Sequence, residues 1–387
     1  MPEVDRTPDW QPRSEEALNN QLATYDQMRE SCPVAWSEYQ HWTVFRHADV
    51  MTVLNDHDTF SNVVSSHLSV PNGMDPPIHT PYRKVIEPYF SDQAMARFEP
   101  TCRSIARKLV KKLQTNEPFD AVDALSQPFA LQIQCAFMGW PESLQAPLNQ
   151  WVKANHRATL SGDREAMAFI AEQFDGYIRQ LLEVRRNAGA EAAKDNTSLL
   201  MEETVNGRRM TDEELISLLR NWTVGELGTI SACVSILLNY LASHPELHRQ
   251  LARNPLELPE AIDEILRMDA PLMSNRRVTT RPVELGGRTI PAGEKITILW
   301  ASANRDERVF GDPDAFCPAR NHQNNLLYGA GIHVCPGAPL ARMELRILME
   351  EWLAAVTRVT AADHSKPERA LFPAGGFHHL PLVVEKR

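Results

Sequence analysis

Residues 328–337 read Tyr-Gly-Ala-Gly-Ile-His-Val-Cys-Pro-Gly and run straight into a helix predicted from about Pro339 to Val356. The three glycines of this stretch allow sharp turns and a close approach of the backbone to a ligand. Cys335 comes just before the start of the helix, where the helix dipole and free amide groups should stabilise its thiolate. A thiolate held in this way acts either as a nucleophile or as a metal ligand.

Several interpretations of this segment can be compared from the residues alone. It is not a dinucleotide-binding fingerprint, because Gly329-x-Gly331-x-x ends on Val334 and no strand–helix–strand unit surrounds it. A zinc site needs more ligands at short spacing than His333 supplies. A catalytic thiol and a purely structural turn both stay open at this point.

The longest helical signal in the chain runs from Thr211 to about Ser243. Thr211 and Glu214 match a capping box, and His244-Pro245 should end the helix. Such a helix is roughly 50 Å long, at about 1.5 Å per residue. Because it is apolar around most of its circumference, we expect it to be central and buried.

Two glycines lie in the middle of this predicted helix, each at a cost of about 1 kcal/mol relative to alanine. Gly225, Gly228 and Thr229 fall at i, i+3 and i+4, on nearly one face. The Thr229 hydroxyl can donate to a carbonyl one turn earlier. Either another helix packs closely against this face, or the face leaves room for a flat or small ligand.

The whole chain predicts a mainly α-helical fold with a minor β portion. Gly286-Gly287 and Pro291-Ala292-Gly293 are typical of turns, and the runs around them are typical of short strands. These strand candidates cover residues 278–280, 283–285, 288–290 and 295–299. No shift in composition marks a linker, so we expect one compact domain over residues 1–387, with about 20 mobile residues at its N-terminus.

Composition argues against several classes of function. The 387 residues include 40 Lys and Arg against 50 Asp and Glu, a formal charge of −10, which disfavours nucleic acid or an anionic membrane as partner. The first residues do not resemble a signal peptide, and no apolar run approaches the about 18 residues that span a bilayer. The six cysteines are widely scattered, as expected for reduced thiols in a cytoplasmic protein.

Taken in chain order, these segments resemble the cytochrome P-450 family of haem-thiolate monooxygenases. The Cys335 segment matches the family pattern Phe-x-x-Gly-x-His/Arg-x-Cys-x-Gly, with Tyr328 where phenylalanine is usual. Glu264 and Arg267, a weak signal alone, match the family's Glu-x-x-Arg and would fix the segment behind the haem. Residues 220–229 look most like the haem domains of bacterial reductase-fused members, although no reductase is expected in this chain. Further matching blocks are residues 75–83, 290–293, 303–306 and 340–342.

The resemblance implies a haem b cofactor (iron protoporphyrin IX). Cys335 would be the axial thiolate ligand of the iron, and in this family its electron donation favours O–O cleavage. Tyr328, Gly329 and Gly337 would border the haem in the same loop. The haem propionates would accept charge-assisted hydrogen bonds from four side chains. These are His79, Arg83, Arg277 and His333.

On the oxygen side of the haem, Thr229 matches the family threonine that guides protons to bound dioxygen. The acid usual immediately before it is replaced by Gly228, and the nearest acid, Glu226, lies about 60° around the helix from Thr229. Either Glu226 or water would therefore deliver protons. By analogy with the family, the substrate pocket would be apolar and would suit a small-to-medium apolar molecule, aromatic compounds included. Its lining would comprise Val224, Gly225, Gly228, Leu272, Met273, Phe372 and Phe377.

The implied reaction inserts one oxygen atom of dioxygen into a C–H bond, by hydroxylation or by O- or N-dealkylation. A separate ferredoxin, or a flavin or iron–sulfur reductase, would supply electrons, because the chain has no motif for those cofactors. Basic residues between Arg103 and Lys112 form either a solvated face or a docking face for an acidic partner. Two alternatives stay open: a peroxide-driven or non-oxygenating haem-thiolate enzyme, suggested by Gly228, and a haem-based gas or redox sensor.

Overall fold

The structure is mainly helical, as the sequence predicts. It is a computed structural model that describes residues 7–161, 163–189, 194–320, 322–363 and 365–387. The helices in the described residues are Glu15–Asn19 (α1), Gln21–Ser31 (α2), His47–Asn55 (α3), His79–Ile86 (α4), Asp92–Lys112 (α5), Gln127–Met138 (α6), Gln145–Ser161 (α7), Arg164–Ala188 (α8), Asn196–Glu202 (α9), Asp212–Ser243 (α10), Pro245–Arg253 (α11), Leu258–Met268 (α12), Trp300–Ala303 (α13), Glu307–Phe310 (α14) and Ala338–Ala355 (α15).

The strands are short and most of them lie in the C-terminal part of the chain. Those in the described residues are Val34–Ser37 (β1), His41–Val44 (β2), Phe60–Ser61 (β3), Phe119–Asp120 (β4), Thr204–Val205 (β5), Arg208–Arg209 (β6), Ser274–Thr279 (β7), Val283–Leu285 (β8), Arg288–Ile290 (β9), Lys295–Leu299 (β10), Val356–Ala361 (β11), Glu368–Arg369 (β12), Phe377–His379 (β13) and Pro381–Lys386 (β14).

One five-stranded sheet, in the order β1-β2-β10-β7-β3, joins the N-terminal segment to the C-terminal part of the chain. Strand β10 lies at its centre, parallel to β2 and antiparallel to β7. A second sheet has the order β11-β14-β4, and three two-stranded hairpins complete the β portion. The predicted strands 283–285, 288–290 and 295–299 are confirmed, whereas β7 begins at Ser274, four residues earlier than predicted, because its first residues pair with β10.

Helix α10 lies at the centre of the largest hydrophobic cluster, as the sequence predicts. The capping box is present: the Glu214 amide donates to the Thr211 hydroxyl (3.2 Å), and the Thr211 amide donates to the Glu214 carboxylate (2.8 Å). By length and composition α10 could cross a membrane, contrary to the expectation that no apolar run would. However, 61% of its most apolar 18-residue window is buried within the protein, as in the core helix of a globular fold.

The segment before α2 packs against the rest of the chain from Thr7 onward. Trp10 is 7% exposed and stacks edge-on against Phe45 and Tyr25. Asp9 accepts a hydrogen bond from the Trp36 amide (2.7 Å). Of the about 20 residues expected to be mobile, residues 1–6 lie outside the described part of the chain, whereas Asp9 and Trp10 are packed through these contacts.

Candidate active site

A backbone hydrogen bond and a glycine with positive φ fix the conformation of the Cys335 loop. The Cys335 amide donates to the Tyr328 carbonyl (2.9 Å), which folds residues 328–335 back on themselves. Gly331 has φ +70°, and a Cβ at this position would stand 2.6 Å from the Leu54 carbonyl oxygen in α3. A side chain there would therefore be strained and would collide with backbone. Helix α15 starts at Ala338, three residues after the cysteine.

The Cys335 side chain remains partly open to solvent although protein surrounds it on most sides. Burial raises the pKa of its thiol, while the amides of Gly337 and Ala338 and the charge of Arg83 act in the opposite direction. The amide donors at the start of α15 act to stabilise the thiolate, as the sequence predicts, but desolvation outweighs them. A bound metal ion would reverse this balance, since coordination deprotonates a thiol.

Three side chains with buried nitrogen groups lie near this loop. Arg277, on β7, is 6% exposed; among the described residues it donates to the adjacent Arg276 carbonyl (2.8 Å) and has no carboxylate within ion-pair distance. The Nε2 atoms of His79 and His333 are buried and have no partner among the described residues. The two imidazole centroids are 4.3 Å apart. Groups that could donate to an anion thus converge from α4, β7 and the Cys335 loop.

Burial sets the charge of these groups. It lowers the pKa of His333 to about 3, with further lowering by His79 and Arg277, so this imidazole is neutral near pH 7. Burial also lowers the pKa of His79 and takes that of Arg277 to about 10. The distant carboxylate of Asp75 only partly offsets these shifts. A nearby anion would compensate the desolvated Arg277 charge.

Arg83, which the sequence groups with these residues, is bonded elsewhere. Its guanidinium donates to the Val334 carbonyl (2.7 Å) and to the Glu87 carboxylate (3.0 Å). Val334 directly precedes Cys335, so this contact ties α4 to the thiol loop. Tyr328 points its hydroxyl into the interior without a described partner, and the Arg342 guanidinium stacks 4.4 Å from its ring centre.

The middle of α10 presents an open face. The Thr229 hydroxyl donates to the Gly225 carbonyl one turn earlier, as the sequence predicts. A Cβ built on Gly225 or Gly228 would meet nothing within 4 Å, and both glycines are exposed. Close helix packing at these glycines, one of the two interpretations, is therefore excluded among the described residues, and the face has room for a ligand.

The side chains proposed to line the pocket fall into two groups. Val224 (43% exposed) and Leu272 (37% exposed) lie open. Met273 and Phe372 pack in a cluster with Trp10, and Phe377 packs in the main core cluster. The sequence could not separate these groups, because pocket and core positions are equally apolar.

One acidic residue near the site escaped the sequence analysis. Glu344, on α15, has no solvent exposure, and neither of its carboxyl oxygens has a described hydrogen-bond donor. Burial raises the pKa of Glu344, and the charge of Glu226 on α10 raises it further; burial also raises the pKa of Glu226, to about 7. The signal in the sequence was an acid among apolar residues of a predicted helix, Met343-Glu344-Leu345, nine residues after Cys335.

Glu264 and Arg267 form a fully buried, two-point ion pair within α12. Arg267 Nε donates to Glu264 Oε2 (2.7 Å) and Nη2 donates to Oε1 (3.0 Å). Arg267 Nη1 also donates to the Asn304 carbonyl (2.7 Å), and Glu264 accepts from the Cys317 amide (2.9 Å). The pair therefore joins α12 to two loops, and its predicted role in fixing the segment behind the haem stays a prediction.

The chain is similar to known proteins both in sequence and in structure. The cytochrome P-450 family model matches residues 255–369. The erythromycin C-12 hydroxylase of Saccharopolyspora erythraea is 31% identical to the chain, covering 99% of it and 98% of that protein. The chain belongs to the cytochrome P-450 family. The linalool 8-monooxygenase of Pseudomonas putida is 29% identical over 93% of this chain and 94% of its own. A solved structure of a P-450 EryK mutant with erythromycin B superposes with a TM-score of 0.87, at 30% identity and with 95% and 96% of the two chains covered.

Cytochrome P-450 proteins are oxidoreductases that bind haem b, and the residues of this P-450 fit that group. The site contains a cysteine thiol, a soft donor of the kind that binds iron in haem-thiolate proteins. It also contains Arg277, which is buried without a described carboxylate partner, and two buried histidine nitrogens without acceptors. Two propionate carboxylates would supply the acceptors that these donors lack. The haem iron, when bound, supplies the oxygen-activating chemistry.

Proposed function

We propose that this P-450 is a monooxygenase in which Cys335 binds the haem iron and Arg277, His79 and His333 bind the propionates. The observation that carries the proposal is the convergence, beside an accessible thiol, of a buried guanidinium that pairs with no described carboxylate and of two buried imidazole nitrogens without acceptors. In the proposed complex Arg83 holds the thiol loop through the Val334 carbonyl, and its direct propionate contact stays a prediction. Tyr328, Gly329 and Gly337 border the haem through the loop backbone.

On the oxygen side we assign Thr229 and Glu226 to proton handling. Thr229 keeps its hydroxyl at the open face through the bond to Gly225, where it can orient water or bound oxygen. Glu226 lies three residues earlier with its Oε1 atom buried, and desolvation raises the pKa of its carboxyl to about 7, which favours the neutral, proton-carrying form. It therefore supplies the acid that Gly228 does not.

The open apolar face favours a small-to-medium apolar substrate, aromatic compounds included, for hydroxylation or O- or N-dealkylation. Val224 is an exposed apolar side chain on α10 directly before Gly225, and Leu272 is an exposed apolar side chain as well. The named relatives act on molecules as different as an erythromycin and linalool. Membership of the family therefore does not narrow the class of substrate further. Met273, Phe372 and Phe377 would line the substrate pocket only if the hydrophobic clusters in which they are packed separated.

Electrons would come from a separate ferredoxin or from a flavin or iron–sulfur reductase. The basic stretch of α5 contributes little free charge at its start, since Arg103 pairs with Glu350 (2.7 Å) and Arg107 with Glu351 (2.9 Å). Lys108, Lys111 and Lys112 are exposed and could meet an acidic partner. The likeness of residues 220–229 to reductase-fused members stays a prediction.

The test is the carbon-monoxide difference spectrum of the reduced, haem-loaded protein. The red-shifted band of a thiolate-bound haem is expected, and its absence from folded, haem-loaded protein would overturn the assignment of Cys335. Turnover with hydrogen peroxide, but never with NAD(P)H and any ferredoxin and reductase, would favour the peroxide-driven alternative. Tight binding of diatomic ligands without turnover of any substrate would favour a sensor.

Replacing Arg277 by methionine should loosen the haem without weakening the fold. One charge-assisted hydrogen bond contributes about 1.5–3 kcal/mol, so haem transfer to a haem-free acceptor globin should become about 10–100-fold faster. The protein itself loses no ion pair, because no described carboxylate pairs with Arg277. The matched control is Arg276→Met, the exposed neighbour on the same strand, which should leave the rate unchanged. Equal rates in both variants would remove Arg277 from the propionate site.

A further inference from the structure

A serine, a histidine and an aspartate from three separate segments meet near the surface, and none of them is assigned to the haem site. The Ser365 hydroxyl lies 3.0 Å from Nε2 of His379, and Nδ1 of the same ring lies 2.7 Å from the Asp120 carboxylate. The imidazole therefore joins the hydroxyl to the carboxylate through two hydrogen bonds. The same order of groups activates the nucleophile of serine hydrolases on several unrelated folds.

Strand pairing brings these three residues together. Asp120 is the last residue of β4 and lies opposite Pro381 of β14, which places it beside the end of β13. His379 is the last residue of β13 and lies opposite Glu368 of β12, three residues after Ser365. The arrangement thus depends on two sheets that join distant parts of the chain, and no local motif predicts it.

Asp120 fixes the orientation and the tautomer of the histidine. Its carboxylate also accepts from the amides of Val122 (2.9 Å) and Leu380 (3.0 Å). Burial acts to raise the pKa of this carboxyl, but the hydrogen bonds from Leu380, His379 and Val122 bring the pKa below its ordinary value. An ionised carboxylate only accepts, so in the neutral ring Nδ1 carries the hydrogen and Nε2 keeps its lone pair. Nε2 therefore accepts the Ser365 hydroxyl hydrogen, as a general base must.

A structural role explains one of these two contacts but not the other. The contact between Asp120 and His379 ties β4 to β13. The Ser365 hydroxyl is exposed, and a hydrogen bond between neutral groups contributes only about 0.5–1.5 kcal/mol. Water would satisfy the His379 nitrogen equally well at this exposed position. What the serine adds is a nucleophile that a molecule can reach from solvent.

We propose that Ser365, His379 and Asp120 form a second reactive site, which hydrolyses small activated esters independently of the haem. Ser365 Oγ attacks the carbonyl carbon while its proton moves to His379 Nε2, and this proton leaves with the alcohol as the ester bond breaks. A water molecule then gives a proton to Nε2 and attacks the acyl group, which releases the acid and restores the serine. Each cycle consumes one ester and one water and transfers no electrons.

The exposure of Ser365 sets the class of substrate and the size of the effect. A small ester reaches the hydroxyl from solvent, so chemical activation of the ester matters more than its shape. A positioned general base contributes about 10²–10⁴-fold to such a step. Ser365 should therefore react faster by this factor than an exposed serine that has no histidine beside it. Ser31 is such a serine, because its hydroxyl donates to the Gln27 carbonyl (2.9 Å).

The first test treats the haem-loaded protein with an alkyl fluorophosphonate, which phosphonylates activated serines and releases fluoride. The wild type should bind one probe per chain, and mass spectrometry of its peptides should place the adduct on Ser365. Ser365→Ala should lose the adduct, and His379→Gln and Asp120→Asn should react about 100-fold more slowly or less. The matched controls are Ser31→Ala and His378→Gln, the exposed histidine beside His379 on β13, and both should react at the wild-type rate.

The second test measures release of 4-nitrophenol from 4-nitrophenyl acetate. The rate should fall about tenfold or more in Ser365→Ala and in His379→Gln, and it should stay at the wild-type value in His378→Gln. Each variant should keep the reduced carbon-monoxide band of the wild type, which checks its fold without testing the second site. An unlabelled wild type, an adduct on another residue, or equal ester hydrolysis in Ser365→Ala and wild type would overturn the proposal.

Discussion

Cys335→Ser should lose the red-shifted carbon-monoxide band and nearly all monooxygenase activity. Serine keeps the size of the side chain and the start of α15, but its oxygen is a hard donor that remains protonated near pH 7 and binds iron poorly. Without thiolate donation, O–O cleavage is no longer favoured. We expect turnover to fall at least about 100-fold, which corresponds to about 2.7 kcal/mol of transition-state stabilisation.

The control for this variant is Cys317→Ser, a half-buried thiol in a different loop. It should keep the band, the haem content and the turnover. The measurements are the reduced carbon-monoxide difference spectrum, the haem-to-protein ratio and the rate of product formation. If Cys335→Ser kept the band while Cys317→Ser lost it, the iron ligand would have been assigned to the wrong residue.

The parts of the fold that the sequence predicted are those with local causes. The capping box at Thr211 and Glu214 fixed the start of α10, and Pro245 fixed its end. Strands β8 and β9 lie where turn residues bracket β-branched side chains, and their predicted bounds are confirmed. The pair Glu264–Arg267 follows from helical spacing, because residues at i and i+3 share a face.

The parts that sequence could not supply depend on residues far apart in the chain. That the charge of Glu226 raises the pKa of Glu344 depends on how α15 packs against α10, and no spacing within either helix predicts it. Arg83 looked equivalent to His79 on one helical face, but the Val334 carbonyl lies within its reach across 251 positions of sequence. The raised pKa of Cys335 comes from the same cause, since desolvation is a property of the assembled site.

Arg267→Ala should destabilise the protein by about 3–5 kcal/mol, because it leaves the buried Glu264 carboxylate without its ion partner. Arg267→Lys should recover only part of the loss, since an ammonium cannot form the two-point contact with Glu264 and also reach the Asn304 carbonyl. The measurement is chemical unfolding of the haem-loaded protein. As a control, Arg358→Ala removes the exposed pair with Glu385 and should change stability by less than about 1 kcal/mol.

The same substitution should also loosen the haem, although Arg267 is not assigned to haem contact. Its guanidinium donates to the backbone of Asn304, and the Asn304 side chain accepts from the Leu326 amide (2.7 Å), two residues before Tyr328. The buried pair thus braces the start of the thiol loop through one asparagine. Asn304→Ala, which breaks the second contact and leaves the ion pair intact, should accelerate haem loss with a smaller loss of stability than Arg267→Ala. If Asn304→Ala left haem loss unchanged, the pair would stabilise the fold without bracing the loop.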